Sequence, residues 1–105
     1  MYNMAMILIL VSFESQEDAE KAANYLVDNK LASCVELYPV TNFYYWKGEK
    51  VKASEIFGVI KTTEEKFEEV KNALEEILPY ETPQIIKLDA TANEKYEEWV
   101  KVTLK

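Results

Sequence analysis

The sequence predicts an α+β fold: a four-stranded antiparallel sheet with helices, in the order β-α-β-β-α-β-α. Three observations carry this. Apolar runs of strand length alternate with charged segments whose apolar residues recur at helical spacing. The joints between them are short and contain no linker or internal repeat. And 105 residues, 49% hydrophobic and 30% charged, suffice for a single domain, 1–105, with one core and little surplus.

The first apolar run, "MAMILILVSF", is short and continuous, as in a strand covered on both faces. Ser15 then opens a helix, with Glu17 in the first turn and Asp18 three residues on as half of a capping box. Ala19, Ala22, Ala23, Leu26 and Val27 form its inner face, and Asn29-Lys30 ends it. Leu31 to Trp46 is rich in β-branched and aromatic residues, interrupted at Pro39. A proline there demands an edge or a bulge, so two strand halves bent at Pro39 are expected. Beyond it Val40, Phe43, Tyr44, Tyr45 and Trp46 leave no polar face, so this arm is expected to pack on another subunit.

Lys47 to Lys50 makes a turn, and Val51 to Thr62 returns as a strand that is mostly apolar on both faces. Thr62-x-x-Glu65 reads as a capping box opening a second helix with the stripe Phe67, Val70, Leu74, Ile77 and Leu78. Pro79 stops that helix, because the residue before a proline avoids the helical region. Gln84 to Leu88 is the fourth strand. Thr91-x-x-Glu94 caps a last helix with Tyr96, Trp99, Val100 and Leu104 facing inward. Right-handed crossovers put the first two helices on one face of the sheet, a ferredoxin-like plan with an additional C-terminal helix.

Composition removes several function classes. Twelve basic against nineteen acidic residues give a net charge of −7 without a basic stripe, which disfavours nucleic acid as a partner. The apolar start is too short to span a bilayer and lacks a basic leader, so no membrane partner is expected. One cysteine, Cys34, fits a reducing, cytoplasmic setting. The chain contains no histidine. Zincin motifs and Ser-His or Cys-His nucleophiles are thereby excluded, and with two glycines no phosphate-cradling loop motif is possible. No catalytic residues and no enzyme activity are expected.

"LASCVELYP" after the first helix, "YYWKG" at the hairpin tip, "IKTTEE" before the second helix and "PYETPQII" after it occur in this order. Together they resemble the CutA family, named for divalent-cation tolerance, from the first strand to Trp99. The resemblance implies a ferredoxin-like subunit in a homotrimer, with long hairpins wrapped around neighbouring sheets. It implies a role in divalent-cation tolerance or response, with copper as the leading ion and no other cofactor. The family is similar in fold to PII-type signalling proteins, which implies an alternative: a trimeric small-ligand sensor or scaffold using a cleft between subunits. Family members commonly carry histidine where this chain has Leu78, and metal-binding members a histidine and a cysteine at the positions of Ile77 and Val11. Glutamate is usual where Gln84 stands. Metal binding is therefore expected to be weakened or lost.

Each candidate residue has two readings. Tyr80 and Glu81, held between Pro79 and Pro83, are either a ligand-binding pair in an inter-subunit cleft or a rigid joint with the phenol bonded to backbone. Trp46 and Tyr45 either line that cleft or anchor an interface. Lys61 either reaches a ligand near the Pro-Tyr-Glu loop or is solvated. Cys34 is either a soft metal ligand or a small buried strand residue. The acidic run of the second helix is a solvated face rather than a cation sponge.

Overall fold

The structure, a computed structural model, describes residues 5–105. Strand β1 (Met6–Phe13) is followed by helix α1 (Gln16–Asp28), strands β2 (Cys34–Trp46) and β3 (Glu49–Thr63), helix α2 (Phe67–Ile77), strand β4 (Ile85–Asp89) and helix α3 (Glu94–Thr103). The sheet order is β2-β3-β1-β4 and all its pairings are antiparallel. This is the expected ferredoxin-like order with its added helix. Met4, expected to open the first strand, lies outside the described residues.

The period of two along β1 sorts the two sides of the sheet. Ile7, Ile9, Val11 and Phe13 are buried against Ala19, Ala22 and Leu26 of α1 and Val70, Ala73 and Leu74 of α2. The opposite, outer side is covered only at one end, where α3 sets Val100 and Leu104 on Met6 and Leu8. Within one chain, then, β1 is covered on one face, not on both as the apolar run suggested. Leu10, Val59 and Phe57 stay half-buried on the outer side, and Ile86 and Leu88 of β4 are exposed.

Helix starts follow the sequence in one case of three. The Ser15 hydroxyl accepts the Asp18 N–H at 3.1 Å and caps α1. Thr62 does not cap α2. It is fully buried at the end of β3, and its hydroxyl donates to the Leu31 carbonyl at 2.7 Å. A 3-10 turn, Glu64–Lys66, precedes α2 instead. Thr91 does not cap α3 either, because the N-cap is Asn93, without a side-chain bond. Trp99, expected inside, is 47% exposed and leans on Tyr96 with ring centroids 5.6 Å apart.

The β2–β3 ladder runs in one unbroken register from Cys34↔Lys61 to Trp46↔Glu49. The ladder passes through Pro39 without a bulge. Because β2 is the edge strand, alternate N–H groups point away from the sheet, where a proline is accommodated. The turn is tighter than expected: Lys47 (φ 50°) and Gly48 (φ 81°) alone form it, both with the positive φ of a type I′ turn. Pairing of β3 with β1 stops at Ile56↔Phe13, so residues 40–55 continue as a bare two-stranded arm. The extents of 45 × 25 × 23 Å match a hairpin of this length, at about 3.3 Å per residue.

Candidate functional site

Tyr80 stands where α2 has ended and β4 has not begun. Leu78 turns extended ahead of Pro79 (φ −89°, ψ 125°), which swings the next residues toward the β1–α1 turn. There the Tyr80 hydroxyl accepts the Glu14 N–H at 2.8 Å and donates to Asp18 Oδ2 at 2.6 Å. Its proton is held above the ordinary phenol value of about 10. Burial is the main cause, the bond to Asp18 adds to it, and the Glu14 N–H opposes it. The geometry is that of the rigid joint, with Asp18 as the partner that sequence reading missed.

A raised pKa in the folded state means the protonated phenol favours the native form. That contribution is complete below pH 10 and is lost as the pH climbs toward the native value. Unfolding free energy should thus fall above pH 10, and Tyr80→Phe should flatten that part of the profile. The same substitution should cost about 1–2 kcal/mol near neutrality, the range for one hydrogen bond to a charged group in a partly wetted place. Urea melts across pH, with tyrosinate absorbance followed in parallel, measure both. A seventh tyrosine that ionises together with the others would refute the assignment.

Glu81 is exposed and faces Lys47 of the hairpin tip, Nζ to Oε2 3.5 Å, with both side chains about two-thirds exposed. Lys47 also lies 5.6 Å from the centroid of the Trp46 ring. The fold thus brings Tyr80, Glu81 and Trp46 into one neighbourhood within a single chain. Lys47, which no sequence reading singled out, joins them. Tyr45 projects from the opposite face of the arm and is 77% exposed.

Lys61 does not belong to this group. It pairs with Leu8 in β1, five residues and roughly 17 Å along the strand from Phe13. Its ammonium is 3.1 Å from Glu36 and 5.5 Å from the Tyr96 ring centroid. The hydrogen bond to Glu36 raises its pKa against the opposing effect of burial. Within one chain Lys61 thus stands at the other end of β1 from the Pro-Tyr-Glu loop. Cys34 is a free, half-buried thiol opposite Lys61 on the edge strand.

The positions at which a metal would be expected do not fit one. Val11 is 0% and Leu78 4% exposed, and both belong to the main core cluster, with Ile77 packed against it. Three hydrocarbon side chains offer no donor. Among the described residues no group of three or more His, Cys, Asp or Glu side chains is placed to hold a metal ion.

Comparison with known proteins agrees with this fold. The family model "CutA1 divalent ion tolerance protein" matches residues 7–103. The divalent-cation tolerance protein CutA of Pyrococcus horikoshii is 34% identical over 96 residues, covering 90% of this chain and 94% of that protein. The CutA of Thermus thermophilus is likewise 34% identical over 96 residues, covering 90% of this chain and 93% of the relative. The solved structure of the periplasmic divalent cation tolerance protein CutA from Archaeoglobus fulgidus superposes with a TM-score of 0.92 at 31% identity, over 95% of this chain and 99% of that one. With nearly the whole chain matched in sequence and in backbone structure, the protein belongs to the CutA1 family of divalent-ion tolerance proteins.

Proposed function

We propose that the protein acts in divalent-cation tolerance, copper included, as a cytoplasmic homotrimer without catalytic chemistry and without a tightly held metal. The observation that carries this is the open outer side of the sheet. Leu10, Val59, Phe57, Ile86 and Leu88 form an apolar surface with no second layer over most of it, whereas stable sheets bury such a face. The bare arm supplies the complementary apolar element, with Phe43 61% exposed. An arm laid on a neighbour's sheet joins two different surfaces, and such a head-to-tail contact forms a ring when its rotation closes. A trimer is one such ring.

The absence of catalytic chemistry is supported by Tyr80, whose hydroxyl is engaged by Asp18 and Glu14, and by Glu81, which faces Lys47. Cation contacts would then be weak and exchangeable, through exposed carboxylates. A free thiol fits a reducing compartment, and no helix among the described residues is long and apolar enough to cross a membrane.

Native mass spectrometry with and without Cu(II) tests the reading. A trimer mass with no retained copper is expected. A monomer overturns the assembly, and one firmly held copper per subunit overturns the statement on metal. A second reading, the small-ligand sensor, is favoured by an open concavity of about 370 Å³ at the base of the arm, lined by Glu14, Gln16, Thr41 and Glu55 among others. It predicts that some metabolite raises the melting temperature by mass action and that Glu81→Ala abolishes the rise.

A further inference from the structure

The outer side of the sheet is apolar with one exception. Register and the period of two place Leu8 and Leu10 of β1, Phe57 and Val59 of β3, and Ile86 and Leu88 of β4 there. Among the described strand residues of that side outside the arm, only Glu36 and Lys61 carry a charge. They are of opposite sign and stand diagonally across the β2–β3 ladder, since Glu36 pairs with Val59 and Lys61 with Cys34. The Lys61 ammonium is 3.1 Å from Glu36 Oε1, to which the Tyr38 hydroxyl also donates, at 3.4 Å. The same ammonium lies 5.5 Å from the centroid of the Tyr96 ring on α3.

The pair is already half withdrawn from water in a lone chain, with Lys61 22% and Glu36 43% exposed. On a face left in solvent such a pair adds little to stability. Under a second layer the balance changes. Either charge alone would be stranded among hydrocarbon, and the two are tolerated there because each is the other's partner. Apolar residues at both places would hold a covering layer as well or better. What a polar spot in an apolar contact contributes is register, because a layer shifted along the sheet sets hydrocarbon on the ions and breaks their bonds.

We infer, on the assembly proposed above, that the Glu36–Lys61 pair is a register pin between copies of this chain: it fixes where a neighbour's arm lies on the outer side and thereby the number of subunits. The face offers no unpaired charge to a charged ligand. A second copy fits it because the arm carries the apolar counterpart, with Phe43 and Tyr45 exposed.

The test compares the full chain with Lys61→Met, with Glu36→Gln, and with the double change Glu36→Leu and Lys61→Met. Subunit number and association strength are read by native mass and sedimentation, and folding by circular dichroism. Either single change leaves one charge unpaired and should weaken association at least about tenfold. The loss should persist at about 1 M salt, which screens an exposed charge far more than a covered one. If Lys61→Met did not fold, Glu36→Gln, which keeps the side-chain shape, carries the same comparison. The double variant should associate at least as tightly as the parent but as a mixture of subunit numbers. Folded single variants that associate like the parent overturn the pin, as does a double variant confined to the parent's single mass. A monomeric parent overturns the assembly and the pin together, whereas a trimeric parent with indifferent single variants overturns the pin alone.

Discussion

Replacing Gly58 by alanine is expected to destabilise the fold by about 2–3 kcal/mol, near the upper end for overpacking of a filled core. The unfolding midpoint should fall by roughly 10–20 °C for a domain of this size. A Cβ at residue 58 would lie 2.7 Å from Cε2 of Phe13 and 3.5 Å from Cδ2 of Leu37. Phe13 is 1% exposed and belongs to the main core cluster, so its ring cannot swing into water to make room. The sign of the effect is informative. Glycine in a strand normally costs about 0.5–1 kcal/mol relative to alanine, and an open site would gain from the change. Phe13→Leu in the alanine background should recover part of the loss, because it removes the atom that is struck. Thermal and urea melts of the two single variants and the double variant give the coupling directly. Additive losses, or a neutral Gly58→Ala, would mean the ring does not occupy that space.

The same pair shows which parts of the fold were legible. Gly58 and Phe13 lie forty-five residues apart in "MILILVSF" and "EIFGVI", and nothing local ties them. What local chemistry does encode was readable: the Ser15 cap, the stripe of Val70 and Leu74, the stop at Pro79 and the order of elements. It misled where a residue's role was set by a distant partner. Thr62 and Thr91 stand three residues before a glutamate, as a capping box requires. Yet Thr62 is committed to the Leu31 carbonyl in the α1–β2 connection, so its helix begins later. Pro39 left an edge and a bulge both open, and only the sheet order, which places β2 at the edge, decides between them. Trp99 fits the inner stripe of α3 by spacing, but a short helix on one end of a sheet has no room to bury it.

The candidate site divides along the same line. That Tyr80 and Glu81 sit in a rigid loop followed from the prolines. Their partners, Asp18 at sixty-two positions' distance and Lys47 at the arm tip, did not. The one local signal for Lys47 is a lysine where a type I′ turn prefers asparagine. Lys61 lies apart from the loop within one chain because strand register, not sequence distance from the loop, decides which end of the sheet it occupies.

The largest effect on assembly is expected from Leu10→Glu. Leu10 is in the middle of β1, on the outer side, flanked in register by Val59 of β3 and Ile86 of β4. In a lone chain it is only half-buried, so a glutamate there can turn its carboxylate to water. The fold should survive with an unchanged circular dichroism spectrum. If a neighbour's arm covers this face, the same carboxylate is sealed among hydrocarbon without a partner. An uncompensated buried charge costs about 3–5 kcal/mol, which weakens each contact by roughly two to four orders of magnitude. The expected result is a folded monomer by sedimentation and native mass, against the trimer proposed for the parent. Glu68→Lys, on the exposed side of α2, changes charge by two units and should leave the mass untouched, which separates burial from net charge. A trimer that persists with Leu10→Glu would show that the outer face is not where subunits meet. The open sheet, the bare arm and its exposed aromatics would then need a different partner.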